Sequence, residues 1–211
     1  MDKKTAQVSV TAIILAGGQG TRLGNSNKGL YPLAGRAMIE HVLARIENQV
    51  SHIIISANND IDRYRRYGLP VIEDKMSGQQ GPLAGLAASL PHVKTDFLLI
   101  IPCDLPALPS DLVARLRGAM DDEETDMAVV HDGEQLQHLV ALVRRHAAAS
   151  VQEFLDEGGR AAKDWAARMF PAVAWFSDQA AAFRNVNTPE DAAAAEELLR
   201  GHVAKRGNAN V

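Results

Sequence analysis

The sequence predicts an α/β fold, a three-layer α/β/α sandwich with helices on both faces of one mostly parallel sheet. Three observations carry this. Short apolar runs alternate with amphipathic stretches, the βαβα order of such folds. The runs are continuous, as in Phe97-Leu98-Leu99-Ile100-Ile101, the pattern of strands buried on both faces. With 211 residues, 46% of them hydrophobic, the chain has material for a sizeable core.

The elements follow in order. An apolar run predicts a strand over 10–15. Met38, Ile39, Val42, Leu43 and Ile46 recur at helical spacing. A second strand is expected over 52–57, a short helix near 62–67 and a brief strand over 70–73. Residues 83–90 read as a helix with Pro82 in its first turn. The most apolar strand covers 96–101, a helix 110–120, and strands 126–131 and 139–143. Helices are expected around 147–155 and 161–169, and a strand over 172–176. The last helix spans 189–200, with Thr188 as N-cap and Pro189 at its first position. One domain over residues 1–203 is expected, with 204–211 as a flexible tail.

Lys plus Arg total 22 against 26 Asp plus Glu, a balance that argues against a general nucleic-acid binder. One cysteine, Cys103, excludes an internal disulfide and fits a reducing compartment. Met1 to Gln7 lack the apolar stretch of a signal peptide, and no apolar run approaches the roughly 20 residues of a membrane helix. A soluble, cytoplasmic protein is expected.

The sharpest motif is Leu15-Ala16-Gly17-Gly18-Gln19-Gly20-Thr21-Arg22-Leu23-Gly24, directly after the first strand. Its glycines let backbone N–H groups approach an anion, Arg22 adds a planar fork for phosphate, and Lys28 adds a compact charge. Three readings compete. A P-loop needs a terminal Gly-Lys-Ser/Thr, which is missing. A dinucleotide fingerprint is a near miss, because Gly24 comes one residue late, although Glu40 stands about 20 residues on. A triphosphate loop with its own Arg and Lys fits best.

Asp104 follows the most apolar strand within Pro102-Cys103-Asp104-Leu105-Pro106. Open α/β sheets bind ligands at the carboxyl ends of their strands. A carboxylate there suits Mg²⁺, which takes one or two carboxylates and completes its shell with phosphates and water. Cys103 has no marked histidine partner and reads as a packed thiol.

These motifs carry a resemblance. Leu15-Ala16-Gly17-Gly18-x-x-x-Arg22-x-Gly24 and Lys28-Gly29-Leu30 resemble the signature of the nucleotide-diphospho-sugar-transferase-like NTP transferases. With Val71-Ile72-Glu73-Asp74, Gly81-Pro82-Leu83-Ala84-Gly85, Pro102-Cys103-Asp104, His131-Asp132-Gly133-Glu134 and Asn185-Val186-Asn187-Thr188-Pro189-Glu190, the chain is similar to the molybdenum cofactor guanylyltransferases from about Thr11 to Arg200. The resemblance implies a Rossmann-like sheet of the nucleotide-diphospho-sugar transferase topology. A nucleotide-binding half would cover about 8–105 and an acceptor-binding half about 106–203.

It also implies a reaction, transfer of GMP from GTP to the terminal phosphate of molybdopterin with loss of pyrophosphate. By position, Leu15, Ala16, Gly17 and Gly18 would meet the nucleotide, and Arg22 and Lys28 would hold its triphosphate. Asp74 and Gly81, Pro82, Leu83 and Gly85 would face guanine and ribose, with Ser56 where the family often has Asn. Asp104 would ligate Mg²⁺, and Asn185 and Asn187 would lie near the metal or the acceptor phosphate. The catalytic set is then Arg22, Lys28 and Asp104. Asn27 departs from the family's usual acid before the lysine, and His138-Leu139 from its His-Pro. Partners implied are GTP and molybdopterin, and transient contact with proteins that make or deliver the cofactor; no nucleic acid or membrane is expected.

Of the aromatics, Trp165 and Trp175 are expected in the core rather than on a pterin. His131 and His138 are expected in solvated loops or pterin contacts, without metal-ligand spacing. Cytidylyl transfer to the same cofactor, transfer to a sugar phosphate, and a non-catalytic pterin carrier are the alternatives.

Overall fold

The computed structural model describes residues 9–17, 23, 27–74 and 81–207, with side chains up to 201. A seven-stranded sheet organises them. In chain order its strands are β1 (Val10–Leu15), β4 (His52–Ser56), β5 (Val71–Ile72), β6 (Phe97–Pro102), β7 (Met127–His131), β8 (Leu136–Arg144) and β9 (Ala172–Trp175). A two-residue hairpin, β2 (Pro32–Leu33) and β3 (Arg36–Ala37), stands apart. The helices are α1 (Met38–Ile46), α2 (Ile61–Arg65), α3 (Pro82–Ser89), α4 (Leu112–Glu123), α5 (Arg145–Ala148), α6 (Ser150–Asp156), α7 (Ala162–Arg168) and α8 (Pro189–Gly207). Helix α8 runs past Ala204, where the sequence places the start of a tail.

The spatial order is β5-β4-β1-β6-β8-β7-β9. All pairs are parallel except those of β8, which runs against both β6 and β7. Strand order reverses between β1 and β6, so the loops after them open into one crevice. The register fixes how closely: Leu15 is paired with both Ser56 and Pro102. Three strand ends therefore stop level with one another.

The alternation of each strand divides the core in two. Ala12 and Ile14 of β1 pack with α1, α2 and α4; Ile13 and Leu15 pack with α3, α6 and α7. This is the three-layer sandwich the apolar runs predict. A smaller cluster of Leu33, Met38, Val186 and Ala192 fastens α8 over the hairpin. The hairpin turn carries positive φ at both Ala34 and Gly35, and the Ala34 N–H donates to Glu196 of α8 at 2.8 Å. Neither the hairpin nor the 3₁₀ segment Ser177–Phe183 has a periodic signal in the sequence. Among the described residues no helix is long and apolar enough to cross a membrane.

Candidate functional site

The ends of β1 and β6 bring together two of the charged residues that the sequence singles out, Lys28 and Asp104. Lys28 opens a 3₁₀ turn, Lys28–Leu30, that ends the segment after β1. Asp104 stands two residues beyond β6. The Lys28 ammonium lies 2.5 Å from Oδ2 of Asp104, and it also donates to Oδ1 of Asn187. Both charged side chains are nearly buried, at 12% and 10% exposure, where charge interactions are stronger than at the surface.

Asn187 belongs to the segment before α8, and a local device holds it. Asp191 accepts the N–H groups of Asn187 and Thr188, both at 2.9 Å, while Oγ1 of Thr188 accepts the Asp191 N–H at 3.2 Å. This is a reciprocal cap of the expected kind, with Asp in place of Glu. The Asn187 N–H leads in holding the Asp191 carboxyl below the usual range, and Lys28 adds to it. The Val186 N–H donates to the Asp104 carbonyl at 3.0 Å, which ties this segment to the end of β6. Asn185 is exposed and takes no part in these bonds.

Asp104 has one further property. Its Oδ1 is buried and has no hydrogen-bond partner among the described residues. A buried carboxylate oxygen left unpaired is costly, and such atoms in folded proteins usually mark a ligand, an ion or a water. The donor set fits a hard cation that takes one carboxylate and fills its shell with phosphate and water oxygens. No cluster of three or more His, Cys, Asp or Glu able to hold a metal by itself occurs among the described residues.

The other predicted residues line the neighbouring strand ends. The Ala16 N–H donates to the Ser56 carbonyl at 2.8 Å, and Gly17 is exposed beyond it. Gly81 precedes α3 with φ +75°, and Pro82 opens the helix. Leu83 is buried, and Gly85 packs on Ser56 so tightly that a Cβ there would overlap the serine Oγ. The α3 N-terminus, Ser56 and Leu15 thus form one wall. Asp74 follows β5, its N–H donating to Asn58 Oδ1 at 2.8 Å. Gly18 and Arg22 lie outside the described residues.

Other expectations are corrected. Glu40, noted only for the dinucleotide reading set aside above, lies on α1 and accepts from Tyr67 and Arg36. Trp165 is buried as expected, with its indole N–H on Ser150 at 3.1 Å. Trp175 is not in the core. It is 58% exposed and stacks on His131 with ring centroids 4.3 Å apart. Ala172 and Ala174 point into the α1/α4 core, which places Trp175 on the opposite face. His131 and His138 are strand residues, not loop residues. Burial lowers the His138 pKa, Lys163 adds to this and Asp164 opposes it. Burial raises the Cys103 pKa to about 12, so the thiol is protonated and no nucleophile.

Sequence reasoning missed Tyr64 and Asp60, which join Asn27 beside Lys28, and the part of Asp191 in the cap at Thr188. Ser/Thr-Pro-x-Asp before a helical run is the signal that could have found the cap.

A sheet of this strand order, with an ammonium and a carboxylate converging at the ends of β1 and β6, presents a charged ligand site at the carboxyl edge of an open α/β sheet. A family model described as the MobA-like NTP transferase domain matches residues 12–173. A molybdenum cofactor guanylyltransferase from Shewanella frigidimarina is 45% identical over 196 residues, covering 93% of this chain and 98% of that protein. Two solved structures share the fold. Molybdopterin-guanine dinucleotide biosynthesis protein A from Archaeoglobus fulgidus matches with a TM-score of 0.72 at 23% identity, covering 91% of this chain and 99% of that one. The 2-C-methyl-D-erythritol 4-phosphate cytidylyltransferase from Thermus thermophilus matches with a TM-score of 0.67 at 18% identity, covering 92% and 98%. The chain belongs to the MobA-like NTP transferase family. Nucleotidyltransferases of this kind generally use a divalent metal ion.

Proposed function

We infer that this chain transfers GMP from GTP to the terminal phosphate of molybdopterin, releasing pyrophosphate and forming molybdopterin guanine dinucleotide. The observation that carries the chemistry is the convergence of Lys28, Asp104 and Asn187 at the strand-order reversal. The name of the 45% identical relative supports the choice of substrates.

In the reaction an acceptor phosphate oxygen attacks the α-phosphorus of GTP. One P–O bond forms, the bond between the α-phosphorus and its bridging oxygen breaks, and pyrophosphate leaves with that electron pair. The acceptor phosphate is already ionised near neutral pH, so no general base is needed. This agrees with the absence of a histidine beside Lys28 or Asp104 in the described hydrogen bonds. Catalysis then rests on positioning and on stabilising developing charge.

Lys28 has three N–H donors, of which, among the described residues, Asp104 and Asn187 take two. The third is left for a phosphate oxygen. Leu15, Ala16 and Gly17, with Gly18, offer backbone to the nucleotide, and Arg22 supports the triphosphate. Ser56, Asp74 and the Gly81, Pro82, Leu83 and Gly85 turn form the wall for base and ribose. Oδ1 of Asp104 is the oxygen that would hold Mg²⁺. Bound there, the ion supplies charge neutralisation for the leaving pyrophosphate. Asn185 and Asn187 face the acceptor phosphate. The Trp175–His131 stack, at the ends of β9 and β7 on the same sheet edge, offers a flat surface to the acceptor's ring system.

Incubation with α-labelled GTP, Mg²⁺ and molybdopterin tests the proposal. A labelled dinucleotide with stoichiometric pyrophosphate is expected, and CTP in place of GTP should give little. Binding of GTP with no product under these conditions would instead indicate a cofactor carrier.

A further inference from the structure

Lys28 and Asp104 come to the site from two different strand ends, and one buried side chain is hydrogen-bonded to the residue before Lys28. Tyr64, on α2 after the third strand end, has no exposed surface. Its hydroxyl donates to Oδ1 of Asn27, the residue before Lys28, at 2.6 Å. The Asn27 amide nitrogen in turn donates to Oδ2 of Asp60 at 3.0 Å and to the Asn59 carbonyl at 3.4 Å. On the other flank of Lys28, Gly29 lies directly against the Tyr64 hydroxyl, with no room for a side chain. A Cβ on Gly29 would also meet Sγ of Cys103, the residue before Asp104, at 3.4 Å. The tyrosine hydroxyl is therefore held between the two residues that flank Lys28, in the same buried cluster as Cys103.

The direction of each hydrogen bond is determined. Burial, then Cys103 and Asp60, push the Tyr64 hydroxyl far above its ordinary pKa, so it stays protonated. Asn27 must present its oxygen to that donor and its nitrogen to the Asp60 carboxylate, which accepts only. This orients the amide without ambiguity. A carboxylate in its place would face Asp60 across 3.0 Å with no proton between them, an arrangement in which two acids cannot both ionise.

We propose that Tyr64 and Asn27 are positioning residues for the transfer reaction. The hydroxyl, acting through the Asn27 amide, sets the backbone of residues 27–29 so that the Lys28 ammonium meets the oxygens of Asp104 and Asn187. The proposal rests on the transferase reading above. Both side chains are buried and act through Lys28, and a misplacement of the ammonium of about 1 Å is enough to cost up to 10²-fold in rate.

Steady-state kinetics and thermal unfolding of Y64F, N27D and the double variant N27D/D60N test it, with K28A as reference. Y64F removes one oxygen atom, and its kcat should fall about 10- to 100-fold while KM for GTP stays within about threefold. N27D should show the same split at neutral pH. N27D/D60N reverses donor and acceptor, keeps the bonds that join residues 64, 27 and 60 and loses only the 3.4 Å bond to the Asn59 carbonyl, and should restore kcat to within about threefold of wild type. A Y64F variant with wild-type kcat, whatever its melting temperature, overturns the proposal. So does a double variant no faster than N27D, which also decides the matter if Y64F fails to fold. Normal Y64F beside inactive K28A overturns this inference alone. No product from the wild-type chain overturns the transferase reading and this inference together.

Discussion

The Lys28 ammonium lies 2.5 Å from the Asp104 carboxylate although 76 residues separate them in the chain. Each residue follows a strand of the central sheet, and β1 and β6 are adjacent and in register to their last residues. The pairing is thus a consequence of topology. It also has a cost if broken, since removing one partner leaves the other charge nearly buried and unpaired.

Lys28→Ala should therefore act twice. It should lower kcat by about 10²–10³, the effect of removing one donor to developing charge. It should also lower the melting temperature, measured by calorimetry, because Asp104 loses its counter-charge. An unchanged rate would mean that Lys28 does not serve the phosphates.

Asp104→Asn separates the metal from the fold. The amide keeps the size and can still accept from Lys28, so the folded chain should persist by circular dichroism. Turnover should fall by at least about 10²-fold, and added Mg²⁺ should no longer raise affinity for GTP in a calorimetric titration. Retention of Mg²⁺-dependent turnover would place the metal elsewhere.

Gly85→Ala should destabilise the chain by about 1–3 kcal/mol, because its new methyl group has no space beside the Ser56 hydroxyl. The serine Oγ is the atom in the way, so Ser56→Ala should recover most of that loss. Denaturant unfolding of the two single variants and the double gives a coupling energy. A value near zero would show that the contact is not what excludes a side chain at Gly85.

The cap before α8 carries a pH dependence. The folded Asp191 carboxyl titrates below its unfolded value of about 3.9, through the Asn187 and Thr188 N–H bonds and then Lys28. A depressed acid contributes stability above its unfolded pKa and loses it as pH falls through the folded one. Wild type should therefore lose stability over Asp191→Asn as the pH drops below about 4. Thr188→Ala should cost about 0.5–2 kcal/mol at neutral pH. Parallel pH profiles for wild type and Asp191→Asn would remove this cap from the account.

Trp175→Ala should raise KM for molybdopterin roughly three- to tenfold, the size of a lost aromatic stack, and leave KM for GTP unchanged. An equal effect on both substrates would mean that the Trp175–His131 stack is not the acceptor's surface.

Much of this molecule was legible before any coordinates. Continuous apolar runs name β1, β4 and β6, because a strand buried on both faces has no polar side to alternate with. The positions of Lys28 and Asp104 after such strands mark the ligand edge, because open α/β sheets bind there. Thr188 and Pro189 announce the start of α8 through their own local chemistry. What the one-dimensional pattern does not hold is anything set by pairing across the chain. The reversal of β8 and the exposure of Trp175 depend on which neighbour a strand finds and how far the helices extend over it. The Tyr64–Asn27–Asp60 chain depends on the burial of Tyr64 and Asn27, which turns two ordinary polar residues into obligatory partners. Local propensity and hydrophobic period are properties of neighbouring residues, and they determined the elements. Hydrogen-bond direction and buried charge arise only when distant segments exclude water together, and that was decided by the tertiary structure alone.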